Sequence, residues 1–224
     1  MDPRRLAERL FVIVAFFGLF LFLPAGTLAW WQAWTFLAIC AAATLVAILT
    51  LARVNPEIFA ARRRIQPGTK RWDRILLIFL FLAMSAIFVV AALDAERFHW
   101  SAPPTWTLWL GNGLYLFGSV LFTSAQAVNK FFEPGVRIQS DRSHHVIDRG
   151  PYRIVRHPGY VGACSLFIGT ALALGSLWAL VPAGCTCLIL VIRTKAEDRT
   201  LQTELRGYRD YAQRVRFRWV PGLW

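Results

Sequence analysis

The sequence predicts an all-α fold: a polytopic membrane helix bundle of four spanning helices and a C-terminal helical hairpin, with a polar loop and a C-terminal helix on one side. Three observations predict it. Hydrophobic residues make up 56% of the 224 positions and charged residues 17%, less charge than a soluble domain of this size carries. Several apolar runs approach or exceed the roughly 20 residues that cross a bilayer. The basic residues gather in alternate connections between those runs, the asymmetry expected of membrane topology.

Leu10–Leu28, Trp31–Leu51, Ile75–Leu93 and Trp106–Val128 read as the spanning helices. The first run follows basic residues, as a signal peptide would. Its apolar stretch is too long for one and lacks a small-x-small cleavage site, so a retained helix is expected. Val161–Ile192 is too long for one crossing, and Gly175-Ser176 and Pro182 divide it into two packed helices. The basic stretch Arg62–Arg74, with Pro67-Gly68, reads as a connecting loop, and Asp94–Thr105, with Pro103-Pro104, as a short loop on the other side. No internal repeat or linker divides the chain. It reads as a single domain over 1–224, with N-terminal membrane helices in 1–105 and the chemistry-bearing core in 106–224.

The net charge of +12 raises the possibility of a nucleic-acid partner, but its distribution points to a membrane. Basic residues cluster at Arg4–Arg9, Arg53–Arg74, Lys130–Arg156 and Arg193–Arg218, which the predicted spans place on one side. Of the 25, only Arg97 falls opposite, beside Asp94 and Glu96. The positive-inside rule then assigns both termini and the 130–160 region to the cytoplasm, with membrane lipids as partners of the basic surface. The composition gives no reason to expect a nucleic-acid partner. Cys40, Cys164, Cys185 and Cys187 all lie in apolar runs and read as small buried hydrophobes rather than a disulfide framework or zinc knuckle.

The most informative segment runs from Gly150 to Gly162, GPYRIVRHPGYVG. Two X-Pro steps bias Gly150 and His157 away from helix. Two tyrosines, two arginines and a histidine are concentrated between apolar runs, the makings of a polar pocket at a membrane edge. Arg and Tyr also anchor helix ends at interfaces, so an anchoring role is the competing reading. Beyond the hairpin, a helix face read in steps of three and four carries Arg193, Glu197, Leu201, Glu204, Tyr208 and Tyr211, although Gly207 would weaken or end that helix. The adjacent His144 and His145 lack the Cys or close carboxylate pair that would complete a metal site, so no metal is expected.

Arg156-His157-Pro158-Gly159-Tyr160-Val161-Gly162 resembles the Arg-His-Pro-x-Tyr-x-Gly signature of the isoprenylcysteine carboxyl methyltransferase family, integral membrane enzymes that use S-adenosylmethionine. Arg193, Glu197-Asp198, Leu201 and Tyr208-Arg209-Asp210-Tyr211 resemble its second signature, with Asp198 in place of the usual Glu. The likeness covers roughly residues 112–224. It implies a cytoplasmic cofactor pocket built from Gln139, His144, His145, Val146, Ile147, Tyr152, His157, Pro158, Gly159 and Tyr160, with Gln139 matching once a short gap is allowed. It places Arg193 and Glu197 at the methyl-acceptor site. Arg193 would orient a carboxylate acceptor, and Glu197 would hold the Arg193 side chain or complement a cationic part of the ligands.

The implied acceptor is an isoprenylcysteine carboxylate or a similar lipid-like small molecule or prenylated chain, and the implied setting is a bacterial inner membrane or its equivalent. Phospholipid amines and small thiols are alternative acceptors. A sterol-reductase-like NADPH enzyme would share a His-Pro-x-Tyr segment, but no Gly-x-Gly-x-x-Gly follows a strand here. A non-catalytic membrane scaffold is the remaining alternative.

Overall fold

The computed structural model describes residues 15–224, and in them every regular element is helical. Helix α1 covers Ala15–Ala25, with a π-helical stretch at Gly18–Phe22. It stops at Gly26, whose φ of 75° is the left-handed conformation glycine tolerates. The expected first span reached from Leu10 to Leu28. Residues 10–14, and the basic group at Arg4–Arg9, lie outside the described residues.

Helix α2 is Trp31–Val54, and α3 is Arg71–Phe98. These two are long and apolar enough to cross a membrane. Many of their large side chains face outward: Leu45, Val46 and Ile48 on α2 and Ile75, Ile78 and Phe79 on α3 are all exposed, while Phe36 and Ile87 turn into the core. Exposed apolar faces of this extent are what lipid contact requires. Helix α3 runs past the expected end at Leu93, because Ala92–Phe98 continues in π-helical geometry. Asp94, fully buried there, accepts hydrogen bonds from Ser101 N (2.7 Å), Ser176 Oγ (2.5 Å) and Trp178 N (3.2 Å). One carboxylate thus ties this end of α3 to the turn of the hairpin.

Helix α4, Thr105–Val128, and helix α5, Pro158–Ala173, form the most intimate pair. A Cβ on Gly111 would lie 2.3 Å from Ala173 N, one on Gly118 2.6 Å from Gly162 O, and one on Gly169 2.6 Å from Tyr115 N. The backbones touch where side chains are missing, the usual device of helix contact in lipid. The predicted hairpin is present: α5 turns at Gly175 (φ 80°) into α6, Leu180–Glu204. Cys185 faces outward on α6, contrary to the buried role expected of all four cysteines. Cys40, Cys164 and Cys187 are half-buried, and all four are free.

The polar end of the bundle is closed by two largely irregular segments, the first carrying short 3-10 turns at Ser140–Arg142 and Gly150–Arg153. Residues 129–157 fold across it, and Arg156 N and His157 N donate to Phe217 O (3.0 Å) and Arg218 O (2.9 Å) of the C-terminal tail. The expected continuous helix from Arg193 to Tyr211 is interrupted. Helix α6 ends at Glu204, Gly207 takes a φ of 81°, and the seven-residue helix α7, Tyr208–Arg214, turns back. The reversal buries Tyr208 and Tyr211 against Leu205 and Leu201, which a straight helix would have left in solvent.

Candidate active site

A cavity of about 380 Å³ opens where the 129–157 segment, α3, α5, α6 and α7 meet. That is within the range of small-molecule sites, roughly 300–1,000 Å³. Gln139, His144, His145, Val146, Ile147, Tyr152, His157, Gly159, Tyr160, Arg193 and Glu197 all line it. Pro158 does not. It is the first residue of α5, where its missing N–H costs nothing, and it sets the start of the helix. Glu204 also lies away from the cavity and pairs with Lys70 at 2.7 Å.

Asp198 is the hub that holds this wall. It is 1% exposed and receives Arg156 Nε (2.8 Å) and Nη2 (2.9 Å), His157 Nε2 (3.3 Å), Tyr208 Oη (3.0 Å), Gln202 Nε2 (2.9 Å) and Arg218 Nε (3.0 Å). Burial alone would raise its pKa, but the hydrogen bonds from His157 and Arg156 outweigh it and hold the carboxyl well below the usual range. Arg156 also donates through Nη1 to Val215 O and Arg216 O, both at 2.7 Å. The Arg-His-Pro segment, α6, α7 and the tail therefore meet at one buried anion.

Arg193 is buried, and its fork is already occupied: Nε and Nη2 donate to Asp73 at 2.6 and 3.0 Å, and Nη2 also reaches Pro134 O at 2.5 Å. Asp73, not Glu197, fixes the guanidinium. The Asp73 carboxylate is fully buried in the first turn of α3 and also accepts from Val136 N at 2.7 Å. Glu197 accepts instead from the Tyr160 hydroxyl. The Tyr160 ring lies under Arg193, 5.5 Å from its guanidinium carbon, and stacks on His157 at 5.8 Å. A free two-pronged arginine clamp is thus replaced by a preset guanidinium that presents its remaining edge.

Gln139 is 2% exposed and spends both ends of its amide on the protein, donating to Phe131 O (2.7 Å) and accepting from Arg142 (3.0 Å). Tyr152 Oη accepts from Asn129 Nδ2 at 3.0 Å, and its carbonyl accepts from Tyr211 Oη at 2.8 Å. His144 and His145 flank the Phe131 ring at 4.4 and 4.9 Å. Burial, then repulsion from His145, lowers the His144 pKa to about 4, so the ring is neutral at pH 7. Its Nδ1 accepts from Gln139 N at 3.3 Å, leaving Nε2 to carry the proton. Among the described residues, no His, Cys, Asp or Glu group is placed to hold a metal ion.

Asp73, Arg62, Glu133 and Arg137 belong to the site and were missed in sequence. Glu133 and Arg137 form a close pair, Arg137 Nε to Glu133 Oε2 at 2.7 Å, and that hydrogen bond first of all raises the arginine's pKa. Asp73 had one legible signal, a lone acid among Lys70, Arg71 and Arg74 at the mouth of an apolar helix. The cavity also has an apolar limb, with Leu77, Leu80 and Met84 of α3 facing Ala163 and Phe167 of α5 and Leu190 of α6.

Residues 106–206 match the Phospholipid methyltransferase family. Two rice relatives, from Oryza sativa subsp. indica and subsp. japonica, each bear the name "Probable protein-S-isoprenylcysteine O-methyltransferase". Each is 26% identical over 193 residues, covering 82% of this chain and 93% of the relative. The matched region contains α4, the 129–157 segment, the hairpin and Asp198; α3, Arg62 and α7 complete the cavity from outside it. Over that region the chain is similar to the membrane methyltransferases of the phospholipid and isoprenylcysteine kind.

Proposed function

We propose that the protein is a multi-pass membrane enzyme that moves a methyl group from S-adenosylmethionine to the carboxylate of an isoprenylcysteine or a similar lipid-like acceptor. The observation that carries this reading is the two-part character of one cavity. Its polar end holds Arg193, Glu197, Tyr160 and the His144–Ile147 strip, and its other limb is walled by aliphatic and aromatic side chains of three apolar helices. A ligand that fits both parts has a charged head and a hydrocarbon tail.

The residues present also suit the methyl donor. His145 and the cavity-facing edges of Tyr152 and Tyr208 offer hydrogen bonds to an amino acid and a ribose. Phe131 and Val146 offer apolar faces to a purine, and Glu197 offers a carboxylate to an ammonium or sulfonium. When bound, the donor supplies an electrophilic methyl carbon on a sulfur that leaves as a neutral thioether. The chain's task is then alignment rather than proton transfer, because a carboxylate acceptor is already ionised at pH 7. Arg193, fixed by Asp73 and Pro134, would hold the acceptor oxygen through its remaining edge. Tyr160 and Glu197 would keep the neighbouring wall in place, and the apolar limb would exclude water from the line of attack.

With this assignment both termini and residues 130–160 face the cytoplasm, where a water-soluble donor enters while the acceptor arrives from the lipid. The test is methyl transfer from labelled S-adenosylmethionine to a panel containing a prenylcysteine, phosphatidylethanolamine and a small thiol. Labelling of the prenylcysteine is the expected result. Transfer confined to the amine or the thiol would replace the acceptor assignment, and no transfer to any acceptor with no binding of the donor would refute the reading.

A further inference from the structure

Arg62 is the cavity's one guanidinium without a carboxylate partner among the described residues. Arg137, Arg156 and Arg193, which share the lining, are neutralised by Glu133, Asp198 and Asp73. Arg62 lies over two aromatic rings instead, 5.2 Å from the centre of Phe132 and 5.7 Å from that of Phe122. Burial, then repulsion from Arg193, works against its charge, while Tyr160 favours it. Cation–π contact recovers only part of what a guanidinium loses on leaving water.

The backbone that delivers Arg62 is fixed. A single helical turn, Ile58–Ala61, precedes it, and Arg62 N donates to Ile58 O at 2.9 Å. That turn follows Asn55, which is buried and donates to Gln126 O at 2.7 Å, clamping this connection to the end of α4. Arg63 and Arg64 point to solvent, so the inward aim of Arg62 is specific to one of three successive arginines. A cation held here without a carboxylate partner among the described residues, at a cost in desolvation, is a candidate for anion binding.

We propose that Arg62 recognises the negative charge of the methyl acceptor and selects an anionic acceptor over its neutral product, an inference that rests on the function proposed above. Its neighbours identify the acceptor rather than the donor as the ligand. Arg62 contacts Phe122 of α4 and the Phe132 ring that packs on Gly159, and it feels Arg193 and Tyr160. Phe122 and Phe132, the rings it lies over, are outside the residues assigned to the donor, and Arg193, the charge it feels most, is the residue placed at the acceptor; Gly159 and Tyr160 lie where the two ligands would meet. In the transfer, an acceptor carboxylate oxygen bonds to the methyl carbon as the carbon–sulfur bond breaks and its electron pair stays on sulfur. A carboxylate becomes an ester, and no proton moves. Arg62 then loses its partner, so the same charge that draws the substrate in weakens the hold on the product.

The experiment compares binding of a farnesylcysteine acid and its methyl ester to the purified full-length protein in lipid nanodiscs, for wild type, Arg62→Gln and Arg62→Lys. Because no side-chain hydrogen bond from Arg62 to the described residues holds the fold, the variants should remain folded, and their S-adenosylmethionine affinity should match wild type. The wild type should prefer the acid by roughly tenfold to a hundredfold, the worth of a charge-assisted hydrogen bond. Arg62→Gln should bring acid and ester within a few-fold and raise KM for the acid more than it lowers kcat, while Arg62→Lys should retain part of the preference. An unchanged acid-to-ester ratio in Arg62→Gln would overturn the proposal, as would a loss of donor affinity instead. Wild-type methyl transfer to the acid is measured in the same preparation. Its absence would count against the functional reading, whereas transfer with an unchanged ratio would count against Arg62 alone.

Discussion

Replacing Asp198 by Asn should unlock the polar end of the bundle. The substitution keeps the side chain's shape and removes one charge from a site where Arg156 is 4% exposed and Asp198 1% exposed. Removing one partner of a buried pair costs about 3–5 kcal/mol, because the other charge stays buried. Two facts pull the figure to the low end here. Arg156 keeps Val215 O and Arg216 O, and an Asn Oδ1 can still accept one of the hydrogen bonds. Arg218 adds little, since its side chain is 31% exposed and solvent screens that contact. The expected loss is therefore about 3 kcal/mol, a fall in melting temperature of roughly 6–12 °C for a chain of this size.

The pH dependence gives an independent check. A carboxyl whose pKa is depressed by folding stabilises the protein fully above its unfolded value of about 3.9, and that contribution is lost as pH falls through the lower folded value. Wild type and Asp198→Asn should therefore converge in acid. The assay is thermal melting in detergent for Asp198→Asn, Arg156→Met and the double variant. The double variant should be much less destabilised than the sum of the singles, since Arg156→Met removes the charge that Asp198→Asn strands. Additive losses, or a single-variant loss below about 1 kcal/mol, would show that this carboxylate does not hold the cavity wall.

Three further outcomes are expected. Arg193→Lys should leave S-adenosylmethionine affinity within about twofold while cutting single-turnover methyl transfer by tenfold or more, because an ammonium cannot bridge both Asp73 oxygens and still offer a planar edge to the acceptor. His144 should make stability rise with pH. Its folded pKa of about 4 lies below the unfolded value of about 6.5, so its contribution is complete above 6.5 and is lost as pH falls from there toward 4. The melting-temperature difference between pH 7 and pH 5 should shrink in His144→Gln, and an unchanged difference would show that this ring is not the cause. For topology, Ala102→Cys in the connection after α3 should react with an impermeant thiol reagent added outside cells, and Ser140→Cys, also exposed, should not; Ser101 is avoided because its hydroxyl is bonded to Asp94.

The helices, the hairpin and the location of the site were legible because each depends on local pattern. Apolar run length gave α2, α3 and α4 to within a few residues, and Gly175 with Pro182 marked the hairpin. The two motif segments hold just over half of the cavity lining that lies beyond residue 138, and the 139–147 strip most of the rest. What stayed hidden depends on pairing across the sequence. Asp73 and Arg193 are 120 positions apart, and nothing near either one shows that they meet. The same holds for Arg62, since Arg62-Arg63-Arg64 looks like uniform surface charge until the Asn55 clamp turns one of the three inward. The glycine contact had a readable signal that went unused. Gly111 and Gly118 are seven residues apart, as are Gly162 and Gly169, so each pair lies near one helix face. One of the two roles expected of Glu197, holding the Arg193 side chain, failed for a related reason. Spacing of four put it beside Arg193 on the helix surface, but a buried guanidinium gains most from the carboxylate that meets both prongs in a plane, and Asp73 on a neighbouring helix offers that geometry. Sequence proximity identified the face of α6 that matters. The partner was chosen by burial, and through it α3, which contributes no signature residue, became part of the site.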